Sequence, residues 1–223
     1  MGRSLQPSRE WREVASAVSR LNQTLTEQYE AWRERSLLTH YCIIYLDGIH
    51  FTVRHGAKTD ATMILTALGV DLEGSREVLA FRACAEEDKD GWSCLLQDLR
   101  ARGVSEIDLI VTDGHDGLLA AVSSLFPATP RQRCLVHKQR NVMNAIPKRE
   151  QQEVATELAG IWKQENRESA LLNLAAFQAK YQKRYPEAIR SLSEDEEHLL
   201  TFYAFPPIMH RYIRSTNAHS KLV

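Results

Sequence analysis

The sequence predicts an α/β core followed by an all-helical region. Two short apolar runs, residues 41–47 and 107–113, each lead into an Asp-Gly pair. Runs of this kind, rich in apolar and β-branched side chains, are typical of buried strands. Beyond Pro147 the apolar residues recur at steps of three and four, which predicts helices. The whole order is a β-meander, a helix, a strand, a helix and a helical region, and it indicates an α/β core with a helical insertion.

The first predicted element is one amphipathic helix over residues 9–35, with Ser8 as its N-cap. Its apolar side chains form a single stripe of near-heptad spacing, made of Trp11, Val14, Val18, Leu21, Leu25, Tyr29 and Trp32. Two interpretations stay open for this stripe: it packs on the core of the same chain, or it mediates dimerisation.

Extended runs come next. Strand 41–47 is followed directly by residues 49–54, in which apolar and polar side chains alternate, and then by runs 63–70, of ambiguous type, and 77–84. Because glycine turns the backbone at little cost, we expect Gly48 to direct the chain away after Asp47. We expect the first three strands to form an antiparallel meander.

A strand over residues 107–112 then lies between two helices, and two longer helices follow Pro147. The apolar faces of these four helices, in chain order, are Trp92, Leu95, Leu96 and Leu99; Leu118, Val122 and Leu125; Val154, Leu158, Ile161 and Trp162; and Ala170, Leu174, Phe177 and Tyr181. Helical pattern resumes near residues 199–203 and breaks at Pro206-Pro207.

Composition excludes some classes of protein. The chain has 223 residues, of which 43% are hydrophobic, and this is enough to bury a core. No run approaches the roughly 18 apolar residues of a membrane span, and no signal region follows the N-terminus, so we expect no membrane partner. Four cysteines without disulfide-scaffold spacing favour a reducing cytoplasm.

The two Asp-Gly pairs predict a divalent-metal site. If Asp47 and Asp113 end neighbouring strands, their carboxylates converge and repel unless a cation or a proton lies between them. Mg²⁺ prefers carboxylate oxygens, and a pair of such ions can promote phosphodiester cleavage. The alternative is that each Asp-Gly simply makes a turn. Asp116 is either a further ligand or, more simply, the N-cap of the helix that follows.

A basic segment predicts contact with phosphate groups. The net charge is only −1, yet residues 131–149 hold six Lys or Arg and no acid, and residues 206–223 hold three more, again without an acid. Such patches can hold a polyanion. The alternative is a solvated helix face. Within this segment Cys134 and His137 have the spacing of half a zinc site, but no second pair stands nearby, which favours a structural contact.

The motifs together resemble the mutator-type transposases of bacterial insertion sequences. The resemblance runs from about Leu37 to Asn217. It is carried by Tyr45-Leu-Asp47-Gly48, Ala67-Leu-Gly69-Val70, Thr112-Asp113-Gly114, Phe126-Pro127, Gln132-Arg-Cys134 with His137 and Arg140-Asn141, and Ile213-Arg-Ser-Thr216-Asn217.

This resemblance implies an RNase H-like core, meaning a mixed sheet with an antiparallel meander, and an Asp-Asp-Glu triad that uses Mg²⁺ or Mn²⁺ to cut and join DNA strands. Asp47 and Asp113 match the first two acids. Ser220 stands where the family has its Glu, so we expect weakened metal binding and an inactive copy, truncated at both ends. The implied DNA contacts, to insertion-sequence ends and target DNA, are Arg131, Arg133, Lys138, Arg140, Asn141 and Arg214.

The expected domains are a helical remnant of the DNA-binding region over residues 1–36, the core over 37–130, the basic segment and helical insertion over 131–205, and the start of the third-acid helix over 206–223. We expect a cytoplasmic, nucleoid-associated bacterial protein.

Two alternative functions are weighed against this inactive transposase copy. One is a non-catalytic remnant that binds DNA, forms a homodimer or associates with an intact transposase. The other is a phosphoacceptor receiver module, but that would require a helix directly after the first Asp strand, where residues 49–54 predict a strand instead.

Overall fold

The computed structural model describes residues 9–55 and 58–216, and the chain divides into two units, Met1–Leu37 and Leu38–Val223. The first unit contains helix α1, Arg9–Glu34, which confirms the predicted amphipathic helix. Val14, Val18, Leu21 and Leu25, on its apolar stripe, are exposed. Ser8, the predicted N-cap, lies outside the described residues.

The second unit is built on a five-stranded mixed sheet of order β3-β2-β1-β4-β5. Its strands are β1 (His40–His55), β2 (Lys58–Val70), β3 (Arg76–Cys84), β4 (Glu106–Thr112) and β5 (Arg131–Arg133). Strands β1, β2 and β3 form the predicted antiparallel meander, and β4 and β5 add to β1 in parallel. Because β5 belongs to the sheet, the sheet extends three residues past the expected core boundary at residue 130.

The expected turn at Gly48 is wrong. Strand β1 runs without interruption through Asp47 and Gly48, because both residues pair with the same antiparallel neighbour, opposite Thr66 and Leu65 of β2. Among the described glycines, Gly48 is not one of those with positive φ, whereas Gly114 has φ +83° and does turn the chain. A strand rather than a helix follows Asp47, as the sequence predicted and as a receiver module would not allow.

Helices cover both faces of the sheet. They are α2 (Lys89–Ala101), α3 (Asp116–Leu125), α4 (Leu135–Asn144), α5 (Lys148–Ile161), α6 (Arg167–Tyr181), α7 (Pro186–Ser193) and α8 (Pro207–Ile213), with short 3₁₀ turns at Glu196–His198 and Thr201–Ala204. The side chains of Ile43, Tyr45 and Leu109 point into one apolar core with helices α4 to α8. Helix α2 packs against α3, β2 and β3.

The ends of the helices follow the sequence in part. Asp88 is the N-cap of α2, and its Oδ1 accepts a hydrogen bond from the Gly91 amide at 2.7 Å. Asp116, in contrast, is not the N-cap of α3, since that position belongs to His115. Helices α2 and α3 approach closely at Gly117, where a Cβ would lie 2.7 Å from the Lys89 nitrogen.

A buried glutamine joins strand β5 to the helical region. The Gln132 amide nitrogen donates to the carbonyls of Arg133 (2.7 Å) and Leu199 (3.0 Å), and its oxygen accepts from the Phe202 amide at 2.8 Å. The side-chain nitrogen and oxygen of Gln132 are therefore both hydrogen-bonded inside the protein, and these bonds fix the edge of the sheet relative to residues 199–202.

In the part of the chain that the structure describes, every helix is too short or too polar to cross a membrane. All four cysteines are free thiols.

Candidate functional site

Asp47 and Asp113 lie side by side. The last pair of the parallel β1–β4 ladder is Leu46 opposite Thr112, so Asp47 and Asp113 are the residues that directly follow this pair. Beyond this point β1 continues, while β4 ends and the chain turns at Gly114. The Asp113 Oδ1 accepts a hydrogen bond from the His115 amide at 3.1 Å, which orients the carboxylate. The expected convergence of the two acids is thus present, although only one of them ends a strand.

The surroundings of Asp47 disfavour its charged form. Burial is the largest cause and, with the nearby negative charges of Asp113 and Glu87, it raises the pKa of Asp47 to about 6. His137 and a hydrogen bond with the Thr216 side chain act in the opposite direction without cancelling this rise. A cation between Asp47 and Asp113 would relieve their repulsion, which is the electrostatic condition for a metal site.

Cys134 and His137 form a structural motif next to this pair. The buried Cys134 Sγ accepts hydrogen bonds from the Thr216 amide at 3.3 Å and from the Thr216 hydroxyl at 3.6 Å. The Cys134 amide in turn donates to the Thr112 carbonyl at 2.7 Å. This cysteine therefore ties the end of β4 to the segment that precedes Asn217.

Cys134 and His137 change each other's pKa through the hydrogen bond between them. Burial raises the pKa of the Cys134 thiol, but hydrogen bonds with His137 and Thr216 outweigh it and lower the pKa to about 7. The same hydrogen bond with Cys134 raises the pKa of His137. Cys134 and His137 are thus hydrogen-bonded to each other, and their structural role stays a prediction. Ser220 lies outside the described residues.

Glu87 is an acid of the site that the sequence analysis did not single out. Its Oε1 accepts a hydrogen bond from the Trp92 indole nitrogen at 2.9 Å and lies 3.7 Å from His115 Nδ1. Its Oε2 lies 2.8 Å from the place where a Cβ on Gly48 would stand. In the sequence Glu87 is one of five charged residues between 86 and 90, and nothing in that run separates it from its neighbours.

The residues expected to contact DNA differ widely in exposure. Arg140 and Asn141 are exposed on α4. Arg131 is half-buried and donates to the Ser123 hydroxyl at 2.8 Å. Arg214 is half-buried, and its guanidinium donates to the carbonyls of His210 and Trp162.

Two of the basic residues are buried. The Lys138 side chain donates to the carbonyls of Ser191 (2.7 Å) and Glu194 (2.6 Å), and the residue is 1% exposed. Arg133 is 4% exposed and lies beside Gly114. The basic segment is therefore less of a surface patch than its sequence suggests, because folding directs two of its charges inward.

The acids present suit a hard cation in part. Within residues 9–55 and 58–216 there is no group of three or more His, Cys, Asp and Glu side chains arranged to hold a metal ion. Asp47 and Asp113 nevertheless offer two carboxylates of the type that Mg²⁺ prefers. Two protein ligands of this type, with water in the other positions, are a usual Mg²⁺ environment.

Comparison with known proteins places the chain in a family. Residues 12–223 match the protein family described as Transposase, Mutator family. The chain is 32% identical over 208 residues to the transposase for insertion sequence element ISRM5 of Rhizobium meliloti, covering 93% of this chain and 52% of that protein. It is 34% identical over 205 residues to the transposase for IST2 of Acidithiobacillus ferrooxidans, covering 91% and 69%.

The transposase for IS905 of Lactococcus lactis is 33% identical over 202 residues, covering 91% of this chain and 51% of that protein. The chain thus spans about half the length of two of these three relatives. A family match over nearly its whole length shows that the chain belongs to the Mutator family of transposases.

Proposed function

We propose that this chain carries the DNA-cutting and DNA-joining core of an insertion-sequence transposase, with Asp47 and Asp113 as its metal-binding acids. The observation that carries the proposal is the pairing of Leu46 with Thr112, which sets the two aspartates next to each other. Family membership supports the same chemistry, since the relatives are named as transposases for insertion sequence elements.

The topology supports an RNase H-like core as the finer description of the fold. An antiparallel meander is extended by two parallel strands; Asp47 lies on β1, and Asp113 directly follows the adjacent strand β4. A sheet is a good support for ligands, because the parallel pairing that ends at Leu46 and Thr112 limits how far the two acids that follow can move.

In this scheme Asp47 and Asp113 would hold Mg²⁺ or Mn²⁺. Such ions activate the attacking oxygen and stabilise the leaving oxygen of a phosphodiester. The protein contributes orientation: the His115 amide holds the Asp113 carboxylate, and Thr216 bonds to the Asp47 side chain. Exposed Arg140 and Asn141 supply DNA contacts near this edge of the sheet.

Ser220 makes this copy a weak enzyme in our proposal. A serine hydroxyl carries no charge and is a poor ligand for Mg²⁺ in place of the Glu that the family has there. We therefore expect metal binding that is weakened and DNA cleavage that is slow or absent.

The test is a gain of function. Plasmid DNA carrying the repeats that flank the coding sequence is incubated with Mg²⁺ or Mn²⁺ and the full chain, and nicking is measured on gels. We expect little nicking by the natural sequence and clear nicking by Ser220→Glu. The control His219→Glu adds an acid one position away and is expected to restore nothing. Adding Asp113→Asn to Ser220→Glu should abolish the gain.

Robust nicking by the natural sequence, lost on Asp113→Asn, would contradict the proposed inactivity but keep the assigned acids. Nicking by Ser220→Glu that survives Asp113→Asn would contradict the assignment of the acids themselves.

A second candidate function is non-catalytic association with another copy of this chain through α1. The exposed Val14, Val18, Leu21 and Leu25 favour it, because their near-heptad spacing is that of a coiled-coil seam. Light scattering after size exclusion would compare Leu21→Glu with the control Ser19→Glu, which adds the same charge off the stripe. Loss of a dimer by Leu21→Glu alone supports this function, and a monomeric natural chain contradicts it.

A further inference from the structure

An open cavity lies beside Asp113, on the side where the chain turns at Gly114. Its volume is about 330 Å³. We call it the Arg133 cavity, and it is lined by Asp113, Gly114, His115, Asp116, Arg133, His137 and Asn141. The cavity therefore combines one end of the acidic pair with cationic and amide side chains.

The Arg133 guanidinium in its wall has unused hydrogen-bonding capacity. Its side chain is 5% exposed, yet Nε and Nη1 are buried and make no hydrogen bond with any described residue. Its ion-pair partner is Asp195, whose Oδ2 is 3.6 Å from Nε, too far for a hydrogen bond. A buried polar group left without a hydrogen bond destabilises the fold, and more so when it is charged.

Gly114 is what allows the guanidinium to lie there. A Cβ at this position would overlap the guanidinium carbon and two of its nitrogens. The glycine thus serves two needs at once, because it takes up a positive φ and it leaves the space that Arg133 fills. Placing a charged side chain in this space, next to a metal-binding acid, has no evident value for packing alone.

The charges around the cavity define the ligand that fits. Asp113 and Asp116 disfavour a free anion, whereas Arg133 and, when protonated, His137 disfavour a free cation. A phosphodiester satisfies both sets if a cation held by the acids offsets part of its charge. A guanidinium also donates strong, charge-assisted hydrogen bonds to phosphate oxygens.

We propose that the Arg133 cavity binds one phosphate group of a DNA strand and so positions that strand against the acidic pair. Asn141 contributes an amide donor at the rim from the exposed face of α4. Arg133 acts as the fixed cation at the base of the cavity, in contrast to Arg140, whose charge is exposed on α4. The inference rests on the proposed function for the identity of the ligand as DNA.

The test separates phosphate binding from strand cleavage. Binding of inorganic phosphate to the full chain is measured by calorimetry in EDTA and again with Mg²⁺. Binding of a 20-base-pair duplex is measured by fluorescence anisotropy over a range of salt concentrations. Asn141→Asp places a negative charge at the rim, and the matched control Asn144→Asp makes the same change three residues further along α4, outside the cavity. A further variant, Arg133→Lys, keeps the positive charge but removes the planar guanidinium. Circular dichroism checks that each variant is folded.

We expect phosphate to bind more tightly with Mg²⁺ than in EDTA. The affinity for phosphate should fall about tenfold in Asn141→Asp and less than twofold in Asn144→Asp. Duplex affinity should fall for Asn141→Asp and for Arg133→Lys. An equal effect of Asn141→Asp and Asn144→Asp on both ligands would overturn the proposal. Phosphate binding that depends on Asn141 while duplex binding does not would assign the cavity to a free anion and overturn its DNA role.

Failure of the proposed cleavage would be a different result. If Ser220→Glu never nicks DNA but the phosphate and duplex measurements behave as expected, the cavity keeps its assignment and the proposed reaction does not.

Discussion

The contact between Gly114 and Arg133 gives a sharp prediction for stability, because the chain contains its own control. Gly114 has φ +83° and Gly74 has φ +85°, so alanine pays nearly the same backbone cost at both, about 1–2 kcal/mol. The gain from a stiffer unfolded chain, about 0.4–1 kcal/mol, also cancels between the two. What differs is space, since a Cβ on Gly74 meets nothing within 4 Å and one on Gly114 overlaps Arg133.

Overpacking of a filled site costs about 1–3 kcal/mol. We therefore expect Gly114→Ala to lower the free energy of unfolding by about 1–3 kcal/mol more than Gly74→Ala does. Urea unfolding followed by tryptophan fluorescence and circular dichroism measures both. Combining Gly114→Ala with Arg133→Ala should recover part of the extra loss, since the clashing group is gone. Equal losses for the two single variants would refute the idea that Gly114 is needed to admit the guanidinium.

Three further predictions concern charge. The pKa of Asp47 is raised from 3.8 to about 6, so ionisation of this carboxyl opposes folding as the pH rises from about 4 to about 6. A pKa shift of about two units corresponds to a loss of about 3 kcal/mol at most in the free energy of unfolding. Asp47→Asn in EDTA should thus be about 1–3 kcal/mol more stable than the natural chain at pH 7.5 and equal to it at about pH 3, below both pKa values, as measured by urea unfolding at each pH. Lys138→Met leaves two buried carbonyls without a donor and should lower the free energy of unfolding by about 2–4 kcal/mol. The control Lys148→Met changes an exposed residue and should alter that free energy little. Comparable losses for the two variants would contradict the burial of Lys138. Arg140→Ala should leave stability unchanged and reduce the salt slope of duplex binding by about 1, and an unchanged slope would remove Arg140 from the DNA contacts.

The order of elements could be predicted from the sequence because periodicity reports which face of each element is buried. The predicted helices with stripes at Leu158 and Leu174 appear as α5 and α6, with those residues in the core. The alternation at residues 49–54 also predicted a strand correctly. What it did not reveal is that this strand is the same one as 41–47. Glycine permits a turn but does not impose one, and pairing with β2 decided the matter.

The site could be predicted in part. The two aspartates stand out because each follows an apolar run, and Cys134 and His137 stand out by spacing. Spacing and apolar runs could not indicate Glu87, because its carboxylate reaches the site through the space that Gly48, with no side chain, leaves in the folded chain. Nor does a run of basic residues show which charges fold inward. The burial of Arg133 and Lys138 involves contacts with residues 191–195, which lie 53 to 62 positions further along the chain. RNase H-like architecture, the metal ion and the roles of the expected DNA contacts stay predictions.

The uninterrupted course of β1 has a consequence for local unfolding. Residues 43–46 are flanked by β2 and β4, whereas from Asp47 onward only β2 pairs with β1. The part of β2 that precedes Met63 has no partner in β3. A two-stranded ribbon on its own is marginally stable in water, so amide hydrogens of residues 51–54 should exchange much faster than those of 43–46. Asp47 therefore stands where slow-exchanging sheet passes into a ribbon that can open without disturbing the rest of the fold.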